Sequence, residues 1–219
     1  MSLRSLAVLA VLAAGCSSSA SPATPAAAPQ AAKPEDAGES LFDGKTLGSW
    51  KSVDFGGQGE VKVENGSIRV AEGATLSGIQ WTGAAPPRTN YEFSLEAMKV
   101  EGNDFFCGIV FPVGKSSCSF VAGGWGGGVT GLSSVDTMNA SENETATDQD
   151  YKKNKWYAIR LRVTPQKIEV WIDAKQVVNL ELANRQISVH PAVESAEPLG
   201  LTNYTTTSLF RNIRLKKLK

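Results

Sequence analysis

The sequence predicts an all-β domain, a two-sheet antiparallel sandwich, on three observations. Short runs of alternating apolar and polar residues recur between Gly, Pro, Asn and Asp; beyond residue 40 no long segment carries a 3.6-residue apolar period; and the outward strand faces are polar enough to be solvated or to line a groove. About ten to twelve strands in about 180 residues, with no helices to cover a parallel sheet, leave a sandwich or a closed barrel. The polar face of strands such as the one carrying Glu96 favours the sandwich, curved into a jelly roll with a cleft.

The chain opens on Arg4 and a run of apolar residues over 6–14, which reads as a signal peptide (1–15) too short to span a bilayer. Leu12-Ala13-Ala14-Gly15-Cys16 resembles a bacterial lipobox, which makes Cys16 the expected acylated N-terminus; the alternative is an ordinary secretory signal with a chance cysteine. The expected location is therefore the cell envelope, outside the cytoplasm, on a lipid anchor in a membrane. Residues 16–39 are rich in Ala, Pro and Ser and read as a tether, because they lack the apolar surface that would offset ordering the backbone. The folded domain is expected at 40–219.

Within it, Val61 and Val63, then Asn65-Gly66, then Ile68 and Val70 form a hairpin, since Asn-Gly accepts the positive φ angles of a tight turn. Tyr91, Phe93, Leu95 and Ala97 alternate with Glu92, Ser94, Glu96 and Met98, and Tyr157, Ile159, Leu161 and Val163 alternate with Ala158, Arg160 and Arg162. Each is a strand with one core face and one polar face. Ile168, Val170 and Ile172, a turn at Asp173 to Lys175, and residues 176–182 predict a second hairpin.

Charge and composition exclude several function classes. With 22 basic and 22 acidic side chains in 219 residues there is no field to track a nucleic-acid backbone. One histidine and three widely spaced cysteines exclude histidine-rich metal catalysis and zinc knuckles. Glu96, Arg160, Arg162 and Glu169 could line a sugar cleft with Trp171 as a stacking platform, or form exposed ion pairs on a solvated sheet. The glycine-rich stretch 123–128 has no Gly-Lys-Ser/Thr after it, so it is no phosphate cradle. Its Trp125 either stacks on a sugar across the cleft or packs inward at a bulge.

Asp136, Glu142, Asn143, Glu144, Asp148 and Asp150 form an oxygen-rich stretch, either a Ca²⁺ site or a polar surface loop. His190, before Pro191, reads as a surface histidine that could act as acid or base if its loop folds over the cleft. Cys107 and Cys118, eleven apart across a turn, are candidates for a cross-strand disulfide.

Ser40-Leu41-Phe42-Asp43-Gly44-Lys45-Thr46-Leu47 with Trp50, and the closing Phe210-Arg211-Asn212-Ile213-Arg214-Leu215, resemble the two ends of the 3-keto-disaccharide hydrolase family, whose fold is a concanavalin A-like jelly roll. Val63 to Ile68, Tyr91 to Glu96, Trp156-Tyr157 and Val170 to Asp173 fall between them in the family's order, so the resemblance covers residues 40–219. It implies cleavage of glycosides oxidised at C3, by elimination and hydration. Glu96 matches the family's acidic strand residue and is the first choice for the base, with Asp104 and His190 as alternatives. Arg160 or Arg162 would steady an enolate. Where the family shows Gln-Asp-His-Gly this chain has Gly200-Leu201-Thr202-Asn203-Tyr204-Thr205, and glycines of 123–128 stand where other members carry acidic and amide residues. Two further readings stay open, a non-catalytic carbohydrate-binding module on the same fold and an envelope interaction protein.

Overall fold

The computed structural model describes residues 38–219; the expected signal peptide, Cys16 and nearly all of the tether lie outside the described residues. Fifteen strands follow one another: β1 (Glu39–Ser40), β2 (Trp50–Ser52), β3 (Val61–Glu64), β4 (Ser67–Val70), β5 (Leu76–Trp81), β6 (Tyr91–Gly102), β7 (Cys107–Val113), β8 (Ser116–Gly124), β9 (Val129–Ser133), β10 (Thr147–Asp148), β11 (Trp156–Val163), β12 (Lys167–Ile172), β13 (Lys175–Glu181), β14 (Gly200–Tyr204) and β15 (Thr206–Lys217). A 3₁₀ turn, Pro191–Ala196, precedes β14.

The strands form two antiparallel sheets. One runs β13-β12-β11-β6-β15-β4-β3 with β1 added on β15, and the other runs β10-β9-β8-β7-β14-β5-β2. This is the predicted jelly-roll sandwich, with more strands than expected because several are edge pieces of two or three residues. Both predicted hairpins are present. Asn65 (φ 47°) and Gly66 (φ 74°) close β3 on β4 with Glu64 opposite Ser67. Asp173 (φ 52°) turns β12 into β13 with Ile172 opposite Lys175.

The period of two sets the core. Tyr91, Phe93, Leu95 and Ala97 of β6, Ile159, Leu161 and Val163 of β11, and Phe111, Cys118 and Phe120 of β7 and β8 are buried in one cluster between the sheets. The chain ends are fastened to that cluster. Asp43 Oδ1 accepts the Lys45 and Thr46 N–H groups at 2.7 and 2.8 Å, Gly44 takes φ 77°, and Trp50 is buried with its indole Nε1 donating to the Leu41 carbonyl at 2.9 Å. Leu41 N–H in turn donates to Ile213 O at 2.9 Å.

The cross-strand disulfide is not formed. The β7–β8 hairpin pairs Val113 with Ser116, which sets Cys118 opposite Phe111 and Cys107 opposite Ala122. The two thiols are therefore four register positions apart, beyond disulfide reach, and both are free and buried. Burial pushes the Cys118 thiol up to about 12 and Cys107 higher still, so neither is a reactive thiolate.

A second apolar cluster lies outside the seven-stranded sheet. Val110 of β7 and Leu76 of β5 are covered by Val53 and by Val193 and Ala196 of the 3₁₀ turn. This cover is partial, and what it leaves open is the cleft described next.

Candidate functional site

The cleft lies over two register rows of small residues. In one register row across the seven-stranded sheet stand Gly78, Thr202, Gly108, Val121 and Gly131, from five adjacent strands. The next row holds Gly200, Val110, Ser119 and Ser133. Side chains on one face of a sheet stand in such rows; Gly108, Thr202, Val121, Ser119 and Ser133 line the cleft, whereas Gly131 lies under Thr145 and Gly200 under Ala196. A Cβ on Gly108 would run into the Thr202 hydroxyl, which shows how closely the floor is packed.

Aromatic and loop residues raise the walls around a cavity of about 330 Å³. Phe105 and Tyr204 stack with ring centroids 6.0 Å apart; Trp125 stands on the β8–β9 turn; His190 and Val193 close the other side. Trp125 is 50% exposed and sits at φ 51°, with Gly126 at φ 86° and Gly127 N–H donating to Gly124 O at 3.1 Å. A bulky side chain in the left-handed region costs on the order of 1 kcal/mol that glycine would not.

The polar groups of the cleft are few. Asp104 Oδ1 accepts Phe105 N–H at 2.8 Å and Oδ2 accepts Gly126 N–H at 3.0 Å, so this carboxylate braces the Trp125 turn. His190 Nδ1 accepts Ala192 N–H at 3.2 Å and caps the 3₁₀ turn, which places the proton of the neutral ring on Nε2. Ser119 is 3% exposed, and its hydroxyl finds no hydrogen-bond partner among the described residues. An unpaired buried hydroxyl lining a cleft is a group a ligand can satisfy.

The structure thus brings together Asp104, Trp125 and His190, and separates them from the other candidates. Glu96, Arg160, Arg162, Glu169 and Trp171 lie on the outer face of the opposite, eight-stranded sheet. There Glu96 Oε2 receives Arg211 Nε at 2.6 Å and Oε1 receives Asn212 Nδ2 at 3.0 Å. Asn212 (φ 53°) sits in a bulge of β15, so Glu96 clamps that irregularity. Arg160 and Arg162 converge on Glu92, at 3.0 and 2.6 Å, and Arg162 reaches Glu169 at 3.7 Å. The Arg160 guanidinium lies 3.8 Å from the Trp171 ring centroid, covering the face a sugar would need. Of the two readings kept open for this group, the paired surface is the one observed.

The oxygen-rich stretch does not converge on a cation. Asp136 and Glu144 both bind Arg185, Glu142 accepts Asn139 N–H at 3.0 Å, and buried Asn143 donates to Leu132 O and accepts from Thr145. The backbone N–H of Gln186 and the Arg185 guanidinium hold the Asp136 carboxyl below the usual range. Among the described residues no group of three or more His, Cys, Asp or Glu side chains is placed to hold a metal. The Ca²⁺ expectation is not supported by this donor set.

The cleft is not visible in the sequence, because only strand order brings Gly108, Ser119, Ser133 and Thr202 into neighbouring rows.

A model of the 3-keto-alpha-glucoside-1,2-lyase-like domain matches residues 37–216. Among solved structures the fold is similar to a carbohydrate binding module from Bacillus subtilis (CBM66), with 14% identity and TM-score 0.53 over 77% of this chain and 96% of that one. It is also similar to a putative glycosyl hydrolase from Parabacteroides distasonis, with 12% identity and TM-score 0.52 over 86% and 99% of the two chains. The exoplasmic/lumenal domain of VIP36, in a Ca²⁺/Man3GlcNAc-bound form, aligns with 11% identity and TM-score 0.52 over 85% and 90%. No protein of curated function matches the sequence.

Proposed function

Because the chain belongs to the 3-keto-alpha-glucoside-1,2-lyase-like family, a carbohydrate-related domain, we propose that its cleft binds a saccharide and that recognition is its principal role. The observation that carries this reading is Trp125, half-exposed and held in a strained backbone conformation beside a floor of small residues, Gly108, Ser119, Ser133 and Thr202. An indole so placed offers a flat apolar face to the C–H face of a pyranose ring, while the Ser119 hydroxyl offers a hydrogen bond below it. The cleft supplies little else. Its one carboxylate is engaged by two backbone N–H groups, which suits holding a ligand better than abstracting a proton.

The family match favours a second reading, cleavage of 3-keto-glycosides. In that reaction a base takes the C2 proton, the electron pair forms the C1–C2 double bond, and the anomeric substituent departs with its oxygen. His190 is the cleft residue suited to the proton transfer, through an Nε2 that has no partner among the described residues. One experiment separates the readings. The full chain is tested on a glycan array and incubated with a chromogenic 3-keto-glucoside. Saccharide binding without release of the chromogen is the expected result; release that His190→Gln abolishes would establish the enzyme.

We further propose that the domain is carried outside the cytoplasm on a lipid at Cys16, on the strength of the apolar run and lipobox-like sequence that precede it. Cys16→Ser should move the protein from the membrane fraction to the soluble fraction. Acyl label retained by that variant would contradict the anchor.

A further inference from the structure

β6 carries an anomaly. Its inward positions run Tyr91, Phe93, Leu95, Ala97 and then Lys99, so an ammonium stands where the period of two calls for an apolar side chain. Lys99 is 6% exposed, its backbone carbonyl accepts Asn154 N–H at 2.8 Å, and its ammonium makes no hydrogen bond or ion pair within 4 Å among the described residues. Burial and the neighbouring Lys153 lower its pKa, against the opposing pull of Asp150 and Asp104. The ammonium itself is not fully buried; it opens onto the space beside it, where a ligand can meet it.

Beside it lies a cavity of about 460 Å³, on the far side of the Trp125 turn from the cleft, lined by Lys99, Gly126, Gly127, Asp148, Gln149 and Asp150. The Gln149 side-chain carbonyl is buried and has no hydrogen-bond partner among the described residues. Gly127, at φ 113°, leaves the space above the Lys99 ammonium open, since a Cβ there would lie 3.7 Å from Nζ and 3.0 Å from Asn103 O. The cavity and the cleft share one divider. Asp104 lines the cleft, and its Oδ2 holds the N–H of Gly126, which lines the cavity.

We propose that this cavity is a second saccharide subsite, and that the ligand is an oligosaccharide of at least two rings straddling the Trp125–Gly126 turn. The inference rests on the reading of the cleft as a saccharide site and extends it. An unpaired donor and an unpaired acceptor in one cavity call for a ligand carrying both, which neighbouring hydroxyls do. Asp148 and Asp150 on the rim disfavour an anionic ligand.

The test compares the full chain with Lys99→Met, Gln149→Leu and Trp125→Gly on an array of mono-, di- and trisaccharides, together with thermal melting. The wild type should bind the longer ligands about tenfold or more tighter than the matching monosaccharide. Lys99→Met and Gln149→Leu should erase that gain and keep monosaccharide binding, and Lys99→Met should melt no lower than wild type, because the ammonium makes no hydrogen bond or ion pair within the described fold for the substitution to break. Trp125→Gly should weaken binding of every ligand, mono- and oligosaccharide alike, by about 30-fold or more. If the wild type binds but chain length is irrelevant, or both cavity variants keep the gain, or Lys99→Met melts lower, the subsite is overturned while the cleft reading stands. A wild type that binds no saccharide removes both.

Discussion

Trp125→Gly should weaken saccharide binding by about 30-fold or more, the loss of roughly 2 kcal/mol expected of a central aromatic anchor, and leave the fold at least as stable as before. The two halves of this result have separate causes. Binding falls because the half-exposed indole is the widest apolar surface bordering the cleft. Stability holds because φ 51° is a conformation that glycine adopts without cost, and Asp104 still receives the Gly126 N–H. Titration calorimetry and a melting curve on the same preparation check both. A structural tryptophan would behave in the opposite way, with stability falling alongside affinity.

Trp50→Ala should have the largest effect on stability, about 3–5 kcal/mol of a total that for a domain is about 5–15 kcal/mol. Trp50 is 1% exposed, packs edge-to-face on Trp81 at 5.3 Å, and its Nε1 ties the Leu41 carbonyl. Truncation leaves a cavity at one edge of the sandwich and an unpaired carbonyl where the N-terminal segment meets β15. The melting temperature should fall on the order of 10 °C. A change of under about 1 kcal/mol would mean that the segment carrying Asp43 and Trp50 is an appendage and not part of the core.

The strands were legible because a half-buried strand repeats every two residues, and β3, β4, β6, β11, β12 and β13 all show it plainly. Both hairpins were legible from residues that tolerate positive φ, Asn65-Gly66 and Asp173. Pairing between distant strands was not. The cleft depends on β5, β14, β7, β8 and β9 lying side by side, an order that joins residues about 120 positions apart, so its lining residues look scattered along the chain.

Charge on an outward strand face is the visible cue in the sequence, and it lies on the eight-stranded sheet, opposite the cleft. Glu96 lies among Arg211 and Asn212 because the β15 bulge needs a clamp. The Arg160–Trp171 stack satisfies its own members. Exposed pairs of this kind add little stability and no vacancy for a ligand. Lys99, by contrast, was detectable in the sequence as a cation at an inward position of an otherwise apolar alternation.

If ligand meets the outer face of the seven-stranded sheet, backbone amide shifts of the isotopically labelled protein will report it as the tightest saccharide on the array is added. The perturbed amides should cluster at Gly108, Ser119, Trp125, Gly126 and Tyr204, with Arg160, Glu169 and Trp171 unmoved. Shifts centred on Glu96, Arg160 and Trp171, with Trp125 and Gly108 silent, would contradict it.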